Sequence, residues 1–364
     1  MTGGIRTTSR PVRVLVVDDS ALMRKFIPEL LAGDPAIEVA GTAMDGAFAL
    51  RKIEELKPDV VTLDLEMPRM SGIETLREIM RRRRLPVIVV SAHSTEGATA
   101  TLNALALGAV DFIAKPENVT AGMGEIAADL VRKIKAAAQI ESPPALRLPD
   151  AVRAASPRRP RPDASRRPDR VVAIAASTGG PNALQFVLAQ LPADLPAALL
   201  VVQHMPEGFT EMFARRLNET CALEVKEAQS GDLLLAGRVL VCPGNRHLRV
   251  RRMSLGDVVA LGDDLKIGGH RPSANALFQS VAETFGPRAM AVLLTGMGED
   301  GAEGMGAVKT AGGLTIAQDE KSCVVYGMPK AAIERGFAAR VVPLEAMANA
   351  IIAQCLPVAR AANE

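Results

Sequence analysis

The sequence predicts an α/β protein built from two doubly wound parallel-sheet domains, the first flavodoxin-like and the second Rossmann-like, joined by a Pro/Arg-rich linker. Three observations carry that prediction. Short apolar runs alternate five times with stretches of helical apolar spacing over roughly the first third of the chain. In the second half, apolar strands of buried type run into Gly-rich or polar turns that open helices. Between them, residues 139–169 lack apolar periodicity and are rich in Pro and Arg, which makes a semi-extended solvated linker. A chain of 364 residues, 48% of them hydrophobic, has room for two cores of ordinary size.

In the first region the strands are Val12-Arg-Val-Leu-Val-Val17, residues 37–43, Val60-Val-Thr-Leu63, Val87-Ile-Val-Val90 and Phe112-Ile-Ala114. Helical spacing covers residues 21–31, 47–56, 73–80 and 98–107, and a further stretch at 121–138. The informative residues are polar ones at strand ends. Asp18 and Asp19 follow the first strand, Asp64 the third, Ser91 the fourth, and Lys115 with Pro116 the fifth. In a parallel sheet all of them converge on one edge. Three clustered carboxylates repel by roughly 4 kcal/mol per pair at ~4 Å and an effective dielectric of ~20, so the cluster calls for a hard cation, and Mg²⁺ suits oxygen ligands. Lys115 would offset the remaining charge. Taken singly, each residue has a plainer role: Ser20 as a helix cap with Asp18 and Asp19 beside it, Asp64 as a solvated loop acid.

This region, about residues 11–138, resembles the receiver domain of bacterial response regulators through Leu63-Asp64-Leu-Glu-Met-Pro68-Arg-Met-Ser-Gly72 and Asp111-Phe112-Ile-Ala-Lys115-Pro116. The resemblance implies that Asp64 accepts a phosphoryl group from a histidine kinase, with Asp18, Asp19, Asp64 and the backbone carbonyl of Glu66 around Mg²⁺. It further implies that Ser91 and Lys115 contact the phosphoryl oxygens and that Phe112 is the switch aromatic. His93, just beyond Ser91, reads as an ordinary loop residue. Ser71 stands where the family pattern commonly has Asp.

The second region, residues 170–360, opens with Val171-Val-Ala-Ile-Ala-Ala-Ser177-Thr-Gly-Gly-Pro-Asn182, an apolar strand leading into a small-residue turn and then a helix over 182–191. Ser177 therefore sits at the carboxyl edge of a parallel sheet, facing a helix N-terminus whose free N–H groups favour developing negative charge. Taken alone, the turn is better read as a helix cap by Ser177 and Thr178 with Gly179 and Gly180 as a phosphate cradle, because Gly-rich turns after strands are common. It matches neither Gly-x-Gly-x-x-Gly nor a P-loop, and the next strand, Ala198-Leu-Leu-Val-Val202, ends at His204 rather than at the acid a dinucleotide fold wants. A later strand, residues 289–294, ends in Thr295-Gly-Met-Gly-Glu-Asp300-Gly301. A hydroxyl, an imidazole and a carboxylate, each just past a buried strand, are the parts of a nucleophile, its general base and the group that orients the base.

Ser177-Thr-Gly-Gly-Pro181, Val202-Gln-His204-Met-Pro206, Pro243-Gly-Asn-Arg-His247, His270-Arg-Pro-Ser273, Thr295-Gly-Met-Gly298 and Tyr326-Gly-Met-Pro329 together resemble the CheB family of chemotaxis protein-glutamate methylesterases. The resemblance covers nearly the whole chain. It implies phosphorylation-regulated hydrolysis of glutamate γ-methyl esters on the cytoplasmic helices of chemoreceptors, with release of methanol, and deamidation of particular receptor glutamines. Ser177 would be the nucleophile, His204 the base and Asp300 its partner, with Thr178 and Met297 further candidates for an oxyanion or substrate pocket and no cofactor for hydrolysis. Ala175 stands where the family pattern leads one to expect Gly. His247 and His270 with Arg271 fall in motif stretches that would either line a receptor-binding cleft or serve the structure, and the structural role is preferred for both histidines. Residues 341–360 read as a terminal amphipathic helix.

Composition excludes other classes. With 43 Lys+Arg against 41 Asp+Glu, the formal charge of +2 makes no case for nucleic acid, and no helix-turn-helix pattern follows the linker. Trp is absent and Tyr326 is alone, so base stacking is not a theme. Four scattered cysteines without Cys-x-x-Cys spacing argue against zinc and a disulfide framework and fit a reducing cytoplasm. No apolar run approaches 18 residues, so no membrane insertion is expected, and a monomer is.

Overall fold

The computed structural model describes residues 10–92, 94–115, 123–140 and 167–356. His93, Pro116, linker residues 141–166 and residues 357–360 of the expected terminal helix lie outside the described residues. The chain divides into two compact units, Met1–Ala145 and Leu146–Glu364.

In the first unit, β1 (Val12–Val17), β2 (Ile37–Ala43), β3 (Val60–Asp64), β4 (Val87–Ser91) and β5 (Asp111–Ala114) form a parallel sheet in the order β2-β1-β3-β4-β5. Every residue of β3 and β4 is buried, as a strand covered by helices on both faces requires. Helix starts are set by short polar side chains. Ser20, Asp45, Ser71 and Ser94 each accept a hydrogen bond from a backbone N–H in the first turn of the helix that follows. At Ser71 the cap is reciprocal, because Glu74 takes the Ser71 N–H at 2.8 Å. The departure from Asp at this position thus leaves the helix start fully capped. Gly72 follows because a Cβ there would stand 2.1 Å from the Asp64 carbonyl oxygen.

In the second unit, β6 (Arg170–Ala176), β7 (Ala197–Gln203), β8 (Glu224–Glu227) and β9 (Arg238–Val241) precede an antiparallel ribbon, β10 (His247–Met253) with β11 (Gly256–Gly262). Then come β12 (Ala289–Leu293), β13 (Leu314–Gln318) and β14 (Arg340–Val342). The seven-stranded sheet is parallel in the order β14-β13-β12-β6-β7-β9-β8. Its strand order reverses at β6, so the crevice of this sheet opens between the carboxyl ends of β6 and its neighbours. Ala173, Ala175, Ala289 and Ala291 keep the central strands slim, and Leu277, Phe278, Val281 and Phe285 pack against them in one apolar core.

The chain end differs from expectation. Val341 and Val342 belong to β14, paired with Ala317 and Gln318, and the helix begins only at Leu344. Pro343 is the reason: it has no N–H to give a preceding helical turn, whereas the β-branched pair before it suits an extended edge.

Candidate active site

Ala176 is in register with Gln203, so the next residues, Ser177 and His204, lie side by side past the ends of β6 and β7. The His204 N–H donates to the Ala176 carbonyl at 3.1 Å and continues the ladder by one step. Asp300 arrives from the other side, on the loop between β12 and the helix Ala302–Thr310. Its Oδ2 meets His204 Nε2 at 2.8 Å. Three adjacent strands, β12, β6 and β7, thus deliver the carboxylate, the hydroxyl and the imidazole to one edge.

Asp300 is 4% exposed and accepts from every side. Ser273 Oγ donates to Oδ1 at 2.7 Å, the Ala274 N–H to Oδ2 at 2.7 Å and the Asn275 N–H to Oδ1 at 3.1 Å. Ala274 and Asn275 open the helix Ala274–Phe285, whose N-terminal N–H groups and dipole favour an anion. Burial pushes the Asp300 carboxyl up, but the hydrogen bond and charge of His204 with the bonds from Ser273 and Ala274 outweigh it and hold the group below its ordinary value. A carboxylate that cannot donate fixes the proton of His204 on Nε2. The other nitrogen, Nδ1, is buried and has no hydrogen-bond partner, and Ser177 Oγ is not bonded to it. Nδ1 is therefore the ring nitrogen left open to a proton.

Hydrogen bonds tie the turn that carries Ser177 to its neighbours. The Ser177 N–H donates to the Thr295 carbonyl at 3.0 Å, which removes it as an oxyanion donor. Thr295 Oγ1 donates to the Thr178 carbonyl at 3.0 Å and accepts the Val325 N–H at 3.0 Å. Thr178 is buried, while Met297 is half-buried beside the exposed Gly298. Among the described residues the Met297 N–H has no protein acceptor. Gly179, with φ 76, turns the chain into its helix, and Gly296 is required because a Cβ there would stand 2.8 Å from Ser177 Cβ. Ala175 needs neither positive φ nor extra room: it is an ordinary buried strand residue paired with Leu293 and Val202.

Two histidines separate here. His247 is fully buried, with Nε2 at 3.1 Å from the Leu265 carbonyl, and burial holds its imidazole below the ordinary value. His270 stacks on His204 with ring centroids 4.0 Å apart and planes within 8°. Its place beside His204 was invisible locally, because it follows no strand. Arg271, next to it, donates to Asn245 Oδ1 and to the carbonyls of Asp263 and Asp264, and so staples loops together.

In the first unit, ligand oxygens of Asp18, Asp19 and Asp64 all lie within 4.8 Å of one another. Lys115 Nζ pairs with Asp64 Oδ2 at 2.8 Å and Asp18 Oδ2 at 3.2 Å. Asp18 Oδ2 is nevertheless buried without a well-directed hydrogen bond, and burial with the Asp64 charge pushes the Asp18 carboxyl up. Burial pulls the Lys115 ammonium down, yet its bond to Asp64 and the two acidic charges outweigh that and raise it. A buried carboxylate oxygen without a well-directed hydrogen bond, with two more carboxylates in reach, fits a hard divalent cation. The Glu66 side chain is exposed, and its N–H donates to Asp64 Oδ1 at 3.3 Å. Ser91 Oγ donates to the Gly97 carbonyl at 3.1 Å. The Phe112 ring is buried, with Lys133 Nζ 5.4 Å from its centroid.

The two units define a receiver-type fold joined to a hydrolase-type α/β fold. Residues 14–126 match the response regulator receiver domain, and residues 172–351 match the CheB methylesterase model. A relative from Koribacter versatilis named protein-glutamate methylesterase/protein-glutamine glutaminase 2 is 61% identical, over 96% of this chain and 97% of its own. A Symbiobacterium thermophilum protein of the same designation is 49% identical over 94% and 96%. The crystal structure of the Thermotoga maritima CheB methylesterase catalytic domain is 40% identical with a TM-score of 0.50, covering 51% of this chain and 98% of that one. The chain belongs to the CheB family of protein-glutamate methylesterases/protein-glutamine glutaminases. Among the described residues no helix is long and apolar enough to cross a membrane.

Proposed function

We propose that this chain hydrolyses glutamate γ-methyl esters on the cytoplasmic helices of chemoreceptors and deamidates particular glutamines there, by a Ser-His-Asp mechanism under phosphorylation control. The observation that carries the mechanism is the contact of His204 Nε2 with Asp300 Oδ2 at 2.8 Å, beside Ser177 at a reversal of strand order. His204 Nδ1 takes the Ser177 proton as Oγ attacks the ester carbonyl, and Asp300 stabilises the imidazolium. The Met297 N–H, with Thr178 below the turn, stabilises the tetrahedral oxyanion. The proton on Nδ1 then passes to the departing methoxide, which leaves as methanol. Water, activated by the same nitrogen, cleaves the acyl-enzyme to glutamate. With a glutamine side chain the same steps release ammonia.

The receiver spans 11–138, the linker 139–169 and the catalytic domain 170–360 in this reading. A histidine kinase supplies the phosphoryl group to Asp64. Asp18, Asp19, Asp64 and the Glu66 carbonyl would hold Mg²⁺, which neutralises charge during that transfer. Phosphorylation adds about one to two negative charges and draws in Lys115 and Ser91, which leaves its carbonyl partner, while Phe112 repacks. The protein acts in the cytoplasm as a monomer.

The test is methanol release from methylated receptor membranes, with and without a small-molecule phosphodonor and Mg²⁺. Release in wild type, a loss on the order of 10⁶-fold in Ser177→Ala, and stimulation that disappears in Asp64→Asn are the expected results. Release that survives Ser177→Ala would refute the mechanism.

A further inference from the structure

We infer that Gln203 is a positioning residue that locks the Ser177 and His204 main chains together, a role that rests on the reading of those two as nucleophile and base. Gln203 is the last residue of β7 and is 2% exposed. Its Nε2 donates to the Ser177 carbonyl at 2.9 Å and to the His204 carbonyl at 3.2 Å. Both acceptors are carbonyl oxygens, which can only accept, so the neighbours themselves decide which end of the amide faces them.

The other end of the amide is the second observation. Gln203 Oε1 is buried and has no hydrogen-bond partner. It lies so close to the nucleophile turn that a Cβ on Gly180 would stand 2.1 Å from it. A buried acceptor left unpaired disfavours the fold, and an unbranched apolar side chain of the same size would fill this strand end without that cost. Against that cost stand the two bonds the amide donates to the Ser177 and His204 carbonyls. What the amide does, and an apolar chain cannot, is bond two carbonyls at once.

Those carbonyls belong to the residues that must exchange a proton. The Ser177 peptide is already tied to β12 through its N–H and the Thr295 carbonyl at 3.0 Å. Gln203 ties the same residue to β7, so the nucleophile is gripped from both neighbouring strands. The grip matters because the Ser177 hydroxyl and His204 Nδ1 must come within hydrogen-bond reach, and sub-ångström drift at the reacting atoms is expensive in rate. Deleting the donor should slow chemistry without weakening substrate capture.

The experiment uses the full-length protein with Gln203→Met and Gln203→Glu beside wild type and Ser177→Ala. Methanol release gives kcat and KM, and a fluorophosphonate probe reports nucleophile reactivity independently of the receptor. For Gln203→Met we expect kcat and labelling to fall together on the order of 10²-fold. KM stays within about twofold, and the urea midpoint shifts little, because the two lost bonds are set against the unpaired Oε1 that is removed. In Gln203→Glu the introduced carboxyl can donate one bond when protonated and none when ionised, so its activity relative to wild type should fall as pH rises. Full kcat and labelling in Gln203→Met, with Ser177→Ala inert, would overturn the Gln203 role alone. Labelling that persists in Ser177→Ala would overturn the nucleophile reading and this role with it. Should Gln203→Met fail to fold, the Glu variant decides: a ratio to wild type that is the same at every pH overturns the proposal.

Discussion

Replacing Asp300 by Asn changes one atom and reaches every part of the site. The carboxylate accepts four hydrogen bonds, from His204, Ser273, Ala274 and Asn275. An amide has one acceptor oxygen and an NH₂ that can only donate. If the oxygen stays on the Oδ2 side, the Asn275 N–H loses its acceptor, at a cost of about 1–3 kcal/mol. If the amide flips, the Ala274 N–H is orphaned and the NH₂ faces His204 Nε2, which must then accept. In that state the proton sits on Nδ1, and the imidazole cannot take one from Ser177. Either way the charge that stabilises the imidazolium is gone. We expect kcat to fall by about 10³- to 10⁴-fold and KM to stay within a few-fold.

The stability side carries its own sign. The folded-state Asp300 carboxyl lies below its ordinary value, so its contribution is present above the unfolded carboxyl pKa and is lost as pH falls through the folded one. The Asn variant lacks that loss. Its deficit against wild type, measured by urea unfolding of the second unit's signal, should be full at pH 7 and shrink below about pH 4. Methanol release measured in parallel completes the assay. An Asn variant that keeps more than a tenth of wild-type kcat would refute the account of Asp300, as would one that loses activity only through KM.

Two further outcomes follow from the geometry. Asp18→Asn removes the buried carboxyl that burial and Asp64 push up, so the decline in wild-type stability that this group causes as pH rises from the unfolded carboxyl pKa through the raised folded one should be missing in the variant; at pH 7 without metal the variant should match or exceed wild type by roughly 0.5–2 kcal/mol, yet lose Mg²⁺-dependent phosphorylation of Asp64. Thermal unfolding and phosphodonor labelling measure the two effects. Gly296→Ala sets a methyl 2.8 Å from Ser177 Cβ and 2.4 Å from Met328 Sδ; the methionine can swing aside, the serine backbone cannot, and fluorophosphonate labelling should slow on the order of 10²-fold.

Both sheets were legible because parallel strands buried on two faces write themselves as continuous apolar runs, and the residue after each run is then at the ligand edge. Asp18, Asp64, Ser177 and His204 could be placed at the sheet edges on that rule alone. Asp300 needed one more step, a Gly-rich loop between the β12 strand and its helix. The rule fails for residues that reach the site from elsewhere. His270, Ser273 and Asn275 come from a loop and a helix start, and neither carries a periodic signal. Val341 and Val342 were misread because a β-branched pair beside an apolar helix extends the same apolar pattern, and only Pro343 marks the boundary.

The sequence by itself determined which chemical groups stand at the sheet edges, since strand-end position depends only on local pattern and topology. Tertiary structure decided how those groups are wired. It put Nε2 rather than Nδ1 of His204 on Asp300, tied the Ser177 N–H to Thr295, stacked His270 on His204, and set one glutamine amide across two carbonyls. Each of these depends on the approach of chain segments far apart in sequence to within a hydrogen-bond length, and such distances are set by packing rather than by any run of residues.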